Sequence, residues 1–155
     1  MYEKSFVMIK PDGNMRHLLG RIIQRFEDVG LKIHAMKFMM PSQQLVEEHY
    51  AEHKGKSFLP RVIKYVTSGP VVAMVIGGNG SISRIRTIVG KTTPSDAGVG
   101  TIRGDFCHEP LGDYVICNLV HASADADDAQ REISLWFDED EICDYSSYDD
   151  HLHGR

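Results

Sequence analysis

The segment PVVAMVI, residues 70–76, carries no charged or polar side chain. It is too short for a self-supporting helix, and its content of valine, isoleucine and methionine suits a strand buried on both faces. Such a strand needs helices packed over it, which predicts an α/β layer sandwich.

The flanking chain fits that frame. Upstream, SFVMI (5–9) is a second apolar run, ended by the turn signature Lys10-Pro11-Asp12-Gly13. Leu18, Leu19, Ile22, Ile23, Phe26 and Val29 recur at helical spacing until Gly30 stops them. LKIHAMKFMM (31–40) reads as a strand. Ser42 then caps a helix with Leu45, Val46, His49 and Tyr50 on one side, and FLPRVIKYVTSG (58–69) holds a short one. Downstream, GSISRIRTIVG (80–90) gives another short helix. Residues 91–113 lack periodicity and are punctuated by glycine, proline and aspartate, the mark of a loop that is either functional or disordered. YVIC (114–117) resumes as a strand, and Ala126, Ala129, Ile133, Trp136 and Phe137 form the inner stripe of a last helix. Asp125 is placed to cap that helix, with Asp127 and Asp128 in its first turn. The order β-α-β-α-α-β-α-loop-β-α describes a single domain over residues 1–155, with a polar tail at 145–155.

Composition narrows the function. The hydrophobic content of 42% and charged content of 25% are those of an ordinary soluble domain. No apolar run reaches the roughly 18 residues of a membrane span, and the charged N-terminus does not resemble a signal peptide. Cys107, Cys117 and Cys143 form no C-x-x-C pair, which suits a reducing compartment, so a cytoplasmic protein without membrane partners is expected. A net charge of −5 argues against a nonspecific grip on nucleic acid, and no specific nucleic-acid partner is expected. Arg84, Arg86, Lys91 and Arg103 nevertheless crowd one segment against only Asp96 and Asp105, a place for a small anion.

Several motifs invite chemistry. His49, Glu52 and His53 match H-x-x-E-H, in which two histidines one helical turn apart grip zinc, yet no third ligand is apparent. They read instead as a solvated pair on an amphipathic helix. His151 and His153 in the tail read as incidental. Gly77-Gly78-Asn79-Gly80 lacks the G-x-x-x-x-G-K-S/T pattern of a phosphate loop and reads as a turn. The stronger constellation is distributed. Lys10 follows directly on a strand, Arg86 and Arg103 can fork onto phosphate oxygens, and Thr92 can donate another hydrogen bond. His121 ends the last strand, three residues after Asn118.

The segments FVMIKPDG, HYAEHKGKSF, SGPVVAMV, TTPSDAGVGTIRGDF and NLVHAS, followed by EISLWF, run in order from about residue 4 to 145. They resemble the nucleoside diphosphate kinases, and GTIRGDF with N-x-x-H-G/A-S is the most specific pairing; the archaeal branch is the nearest in pattern. The resemblance implies a ferredoxin-like βαββαβ core, an α+β sandwich whose antiparallel four-stranded sheet is covered by helices. It implies a phosphotransferase that moves the terminal phosphate of a nucleoside triphosphate, typically ATP, to a nucleoside diphosphate, with Mg²⁺ carried by the phosphates. His121 would be the phosphate-accepting histidine of a ping-pong cycle. Lys10, Tyr50, Arg86, Thr92, Arg103 and Asn118 match phosphate and sugar contacts. Phe58 matches the ring stacked on the base, with Val62 beside it and Val115 closing the other base face. Ser123 and Glu132 match the pair supporting the histidine. Stacking without base-edge hydrogen bonds implies low base specificity, so ATP, GTP and other nucleotides are expected partners. The resemblance also implies a homo-oligomer, a hexamer first and a tetramer or dimer next.

Departures accompany the match. Ala124 stands where the family usually has aspartate, about five extra residues lie between Cys107 and Asn118, Gly77-Gly78 replaces a usual glutamate, and the tail lacks the usual aromatic, acidic ending.

Overall fold

The computed structural model describes residues 1–108 and 117–147. Four strands, β1 (Tyr2–Ile9), β2 (Lys32–Met39), β3 (Val71–Asn79) and β4 (Val120–Ala122), form one sheet in the order β2-β3-β1-β4. Each neighbouring pair is antiparallel. The helices are α1 (Pro11–Met15), α2 (Leu19–Glu27), α3 (Gln43–His49), α4 (Leu59–Val66), α5 (Ser81–Val89), α6 (Ile102–Phe106) and α7 (Ala126–Trp136). With α2 and α5 as the crossovers, the core is the expected ferredoxin-like βαββαβ unit.

The central β3 shows why PVVAMVI has no polar position. Val72, Met74 and Ile76 face a core closed by Ile22 and Phe26 of α2 and Ile85 and Val89 of α5. Val71, Ala73 and Val75 face the opposite core, closed by Val46 of α3, Val66 of α4 and Trp136 of α7. Side chains alternate across a strand, so a sheet covered on both sides requires apolar residues at odd and even positions alike. Among the described residues, no helix is long and apolar enough to cross a membrane.

Several local readings change. The glycines of GGNG do not make a turn until Gly80, because β3 continues through Asn79. A Cβ on Gly77 would lie 2.7 Å from His34 Nε2 and 2.8 Å from Tyr2 Oη, so the bare backbone is what lets those side chains close over the strand. Lys10-Pro11-Asp12-Gly13 opens a short helix rather than a simple turn, since proline at the first helical position costs no hydrogen bond. The aperiodic 91–113 segment contains α6, capped by Thr101, whose Oγ accepts the Gly104 amide at 3.0 Å. Of the predicted YVIC strand, residues 114–116 and with them Val115 lie outside the described residues, as do His151 and His153; Cys117 precedes β4 without joining it. On α7, Asp125 caps the helix by accepting the Asp128 amide at 2.9 Å, while the inner stripe takes in Glu132 and leaves Ala126 exposed.

Helix α6 approaches the preceding loop so closely that a Cβ on Gly104 would fall 2.1 Å from the Gly98 carbonyl oxygen. Backbone cannot swing aside as a side chain can. Gly104→Ala is expected to destabilise the fold by about 1–3 kcal/mol, read as a lower urea midpoint.

Candidate active site

One cleft of about 590 Å³ gathers Lys10, Tyr50, Phe58, Val62, Arg86, Thr92, Arg103, Asn118, His121 and Glu132. Every described residue singled out from sequence for the distributed site lines it, apart from Ser123, which is buried directly behind. His49, Tyr65 and Asp128 line it too and were not foreseen.

The floor is a turn held in a rare conformation. Leu119 has φ 64°, and the Val120 amide donates to the Asn118 carbonyl at 2.7 Å, which makes a three-residue γ-turn. A leucine there is strained, and the surroundings compensate. The Leu119 amide donates to Asp12 Oδ2 at 3.2 Å, the Leu119 carbonyl accepts the Lys10 amide at 2.8 Å, and the Tyr65 hydroxyl donates to the other Asp12 oxygen. Arg103 clamps the same turn through Nε to the Asn118 carbonyl (3.2 Å) and Nη2 to the Val120 carbonyl (2.6 Å). Its Nη1 donates to the Gly90 carbonyl at 2.9 Å. A guanidinium has five N–H groups, so two are left for a ligand. Asn118 completes the floor, its Oδ1 accepting Lys10 Nζ at 2.7 Å and its Nδ2 donating to the Thr92 carbonyl at 3.1 Å.

His121 stands on β4 above this floor. Its Nε2 lies 2.8 Å from Glu132 Oε1, and Ser123 Oγ donates to Glu132 Oε2 at 2.7 Å. Ser123 is itself fixed to β1, accepting the Phe6 amide at 3.1 Å. With Nε2 engaged on a carboxylate, that nitrogen carries the hydrogen, and Nδ1 keeps its lone pair.

Electrostatics show what is missing. Burial lowers the Lys10 pKa to about 8, helped by the charge of Arg103. Burial, then Lys10 and Arg103, push His121 down to about 3 from 6.5. Arg103 is shifted down as well, by burial first. Lys10, Arg86 and Arg103 bring positive charge to one cleft where burial disfavours it, which defines a site built for an anion. The Tyr50 hydroxyl, buried and without a hydrogen-bond partner among the described residues, faces the same space.

Residues 3–142 match the family profile described as nucleoside diphosphate kinase. The chain belongs to the nucleoside diphosphate kinase family. A nucleoside diphosphate kinase of Methanothermobacter thermautotrophicus is 52% identical over 147 residues, 95% of either chain. That of Methanobrevibacter smithii is 49% identical over 152 residues, 98% of each. Among solved structures, the Halobacterium salinarum kinase in complex with CDP superposes with a TM-score of 0.88 at 42% identity, covering 98% of each chain. The Borrelia burgdorferi enzyme, described as a transition-state mimic with bound vanadate and ADP, gives 0.90 at 36% identity, covering 98% of this chain and 96% of its own. The protein is therefore a phosphotransferase of the nucleoside diphosphate kinase type.

Family membership and geometry together retire the zinc motif. His49 is not solvated but 1% exposed, turned inward toward Trp136 and His121, whereas His53 stays near the surface beside Glu52. The two do not share an outward face.

Because Lys10 loses its charge as pH rises through about 8, anion affinity should weaken there. Lys10→Arg keeps its charge, so calorimetric titration with inorganic tripolyphosphate should show the wild type falling progressively behind this variant above that pH. A constant ratio between the two would contradict the assignment.

Proposed function

We propose that the chain transfers the terminal phosphate of a nucleoside triphosphate to a nucleoside diphosphate in two half-reactions through a phosphohistidine at His121. The observation that carries this reading is the neutral His121 ring, with Nε2 held by Glu132 and Nδ1 open to a cleft lined by Lys10, Arg86 and Arg103. Nδ1 supplies the electron pair for the new N–P bond, and the P–O bond to the departing diphosphate breaks with its electrons going to oxygen. The second nucleotide reverses these events at the same site. Charge spreads over the phosphoryl oxygens at the transition state, where preorganised donors act most strongly. Lys10, Tyr50, Arg86, Thr92, Arg103 and Asn118 supply those donors to phosphates and sugar. The donor set at this end is cationic, so Mg²⁺ fits as an ion carried by the nucleotide phosphates, with no protein ligand assigned. When bound it would neutralise phosphate charge.

Phe58 is 40% exposed at the N-terminus of α4 with Val62 one turn on, a platform for a base face. Stacking tolerates every base, which supports low base specificity. The ADP and CDP bound by two relatives are in keeping with it.

Incubation with γ-labelled ATP should give an acid-labile, base-stable phosphohistidine that any nucleoside diphosphate discharges. His121→Ala should take no label; a labelled, turning-over variant would sink the assignment.

We also propose that the chain forms a homo-oligomer, a hexamer in our reading. Strand β2 is an edge strand, and Met36, Phe38 and Met40 on it and just beyond are 55, 60 and 61% exposed. An open, apolar edge is a template for a second copy. Light scattering should report a hexamer, and Phe38→Glu should shift it toward smaller species.

A further inference from the structure

His49 ends α3 directly beneath the catalytic ring; the two imidazole centroids are 4.4 Å apart and cross at 79°. Trp136 Nε1 lies 3.1 Å from His49 Nδ1. An indole nitrogen only donates, so Nδ1 accepts and Nε2 carries the hydrogen. Burial first, then the nearby His121, keeps this ring neutral. The Nε2–H is thus a fully buried donor, yet it has no hydrogen-bond partner among the described residues. Native interiors avoid such groups unless the group has another task. The acceptor it faces is Glu132 Oε1 at 3.7 Å, the same oxygen that holds His121 Nε2 at 2.8 Å. The fixed tautomer also turns away a metal ion. His49, His121 and Glu132 bring ligand atoms within 4.8 Å of one another, but a nitrogen bearing hydrogen offers no lone pair.

We propose that His49 is a positioning residue whose Nε2–H closes onto Glu132 Oε1 when His121 carries phosphate, keeping the shared proton on His121 Nε2 rather than on Glu132. The inference rests on the reading of His121 as the phosphate carrier. When Nδ1 bonds to phosphorus and Nε2 retains its hydrogen, the ring becomes an imidazolium, balanced by the Glu132 carboxylate. In the second half-reaction the N–P bond breaks and its electron pair returns to Nδ1. A cationic ring accepts that pair readily. If Glu132 took the proton first, the ring would be neutral and a poorer leaving group. Glu132 is prone to do so, because burial raises its pKa. Ser123 satisfies Oε2, and Arg131 Nη2 stands 3.7 Å from Oε1 with Asp128 opposing it on the same helix. Lys10 and Arg103 act on the His121 ring from the cleft side. His49 is the neutral donor aimed at Oε1 from α3.

The tautomer is read first, in the unphosphorylated wild-type protein, by nitrogen-15 NMR. Hydrogen on His49 Nε2 is expected, and hydrogen on Nδ1 would overturn the proposal. Then His49→Phe, which keeps a ring without the donor, is compared with His49→Gln, whose amide N–H reaches a similar point. In rapid-mixing experiments, His49→Phe should discharge its phosphohistidine to ADP about ten- to a hundredfold more slowly. The acid limb of its phosphorylation half-reaction should move up by about one pH unit, because Glu132 then protonates sooner. His49→Gln should stay within a few-fold of wild type with the limb in place. Equal losses in both variants with an unmoved limb would reduce His49 to packing and overturn the proposal. A wild-type protein that takes no label at His121 would overturn the carrier reading as well, a result distinct from either.

Discussion

The guanidinium of Arg103 is the contact on which the rest of the site depends. It reaches from a five-residue helix to three backbone carbonyls, those of Gly90, Asn118 and Val120. Those carbonyls belong to the end of α5 and to the strained turn before β4, so a single side chain fixes two walls and the floor. It shares with Asp12 and the Lys10 amide the cost of holding Leu119 at positive φ, and a turn relaxed by its loss would carry Asn118 and His121 with it. The apolar sheet beneath is rigid because it is packed on both faces. It supplies the fixed end against which this clamp works.

Charge is arranged with the same economy. Lys10 and Arg103 are gathered in one cleft where burial first, and neighbouring positive charge next, make each less favourable as a cation, and both press on His121. Positive charge held in this way is electrostatically unfavourable, and a polyanion would settle it. Neutrality of His121 follows first from its burial and then from that crowding, so the arrangement that attracts phosphate also leaves the imidazole nucleophilic at neutral pH.

The sequence disclosed much of this, unevenly and for physical reasons. The central strand was legible because burial on two faces leaves an unbroken apolar run. The N-cap at Ser42 and that at Asp125 were legible because capping depends on a residue type at one place. The cleft residues were legible as a set, through the resemblance to the family, and the structure brings Lys10, Arg86, Thr92, Arg103, Asn118 and His121 to one space. Helix α6 escaped because five residues are too few to show a period. His49 was misread because its helix places it on the apolar side, yet only the indole of Trp136, 87 positions away, shows why a histidine is there. Gly77 was misread because its role is to lack a side chain where His34 and Tyr2 close in.

The anchoring of the turn before β4 also decides where His121 stands. Its downstream end is tied by Lys10, Asp12 and Arg103, all from distant parts of the sequence. On the upstream side, Arg16 separately holds the Phe106 carbonyl and His108. The placement of His121 is thus set by the end of β1, by α1 and by α6, elements that meet at this turn from three separate stretches of chain.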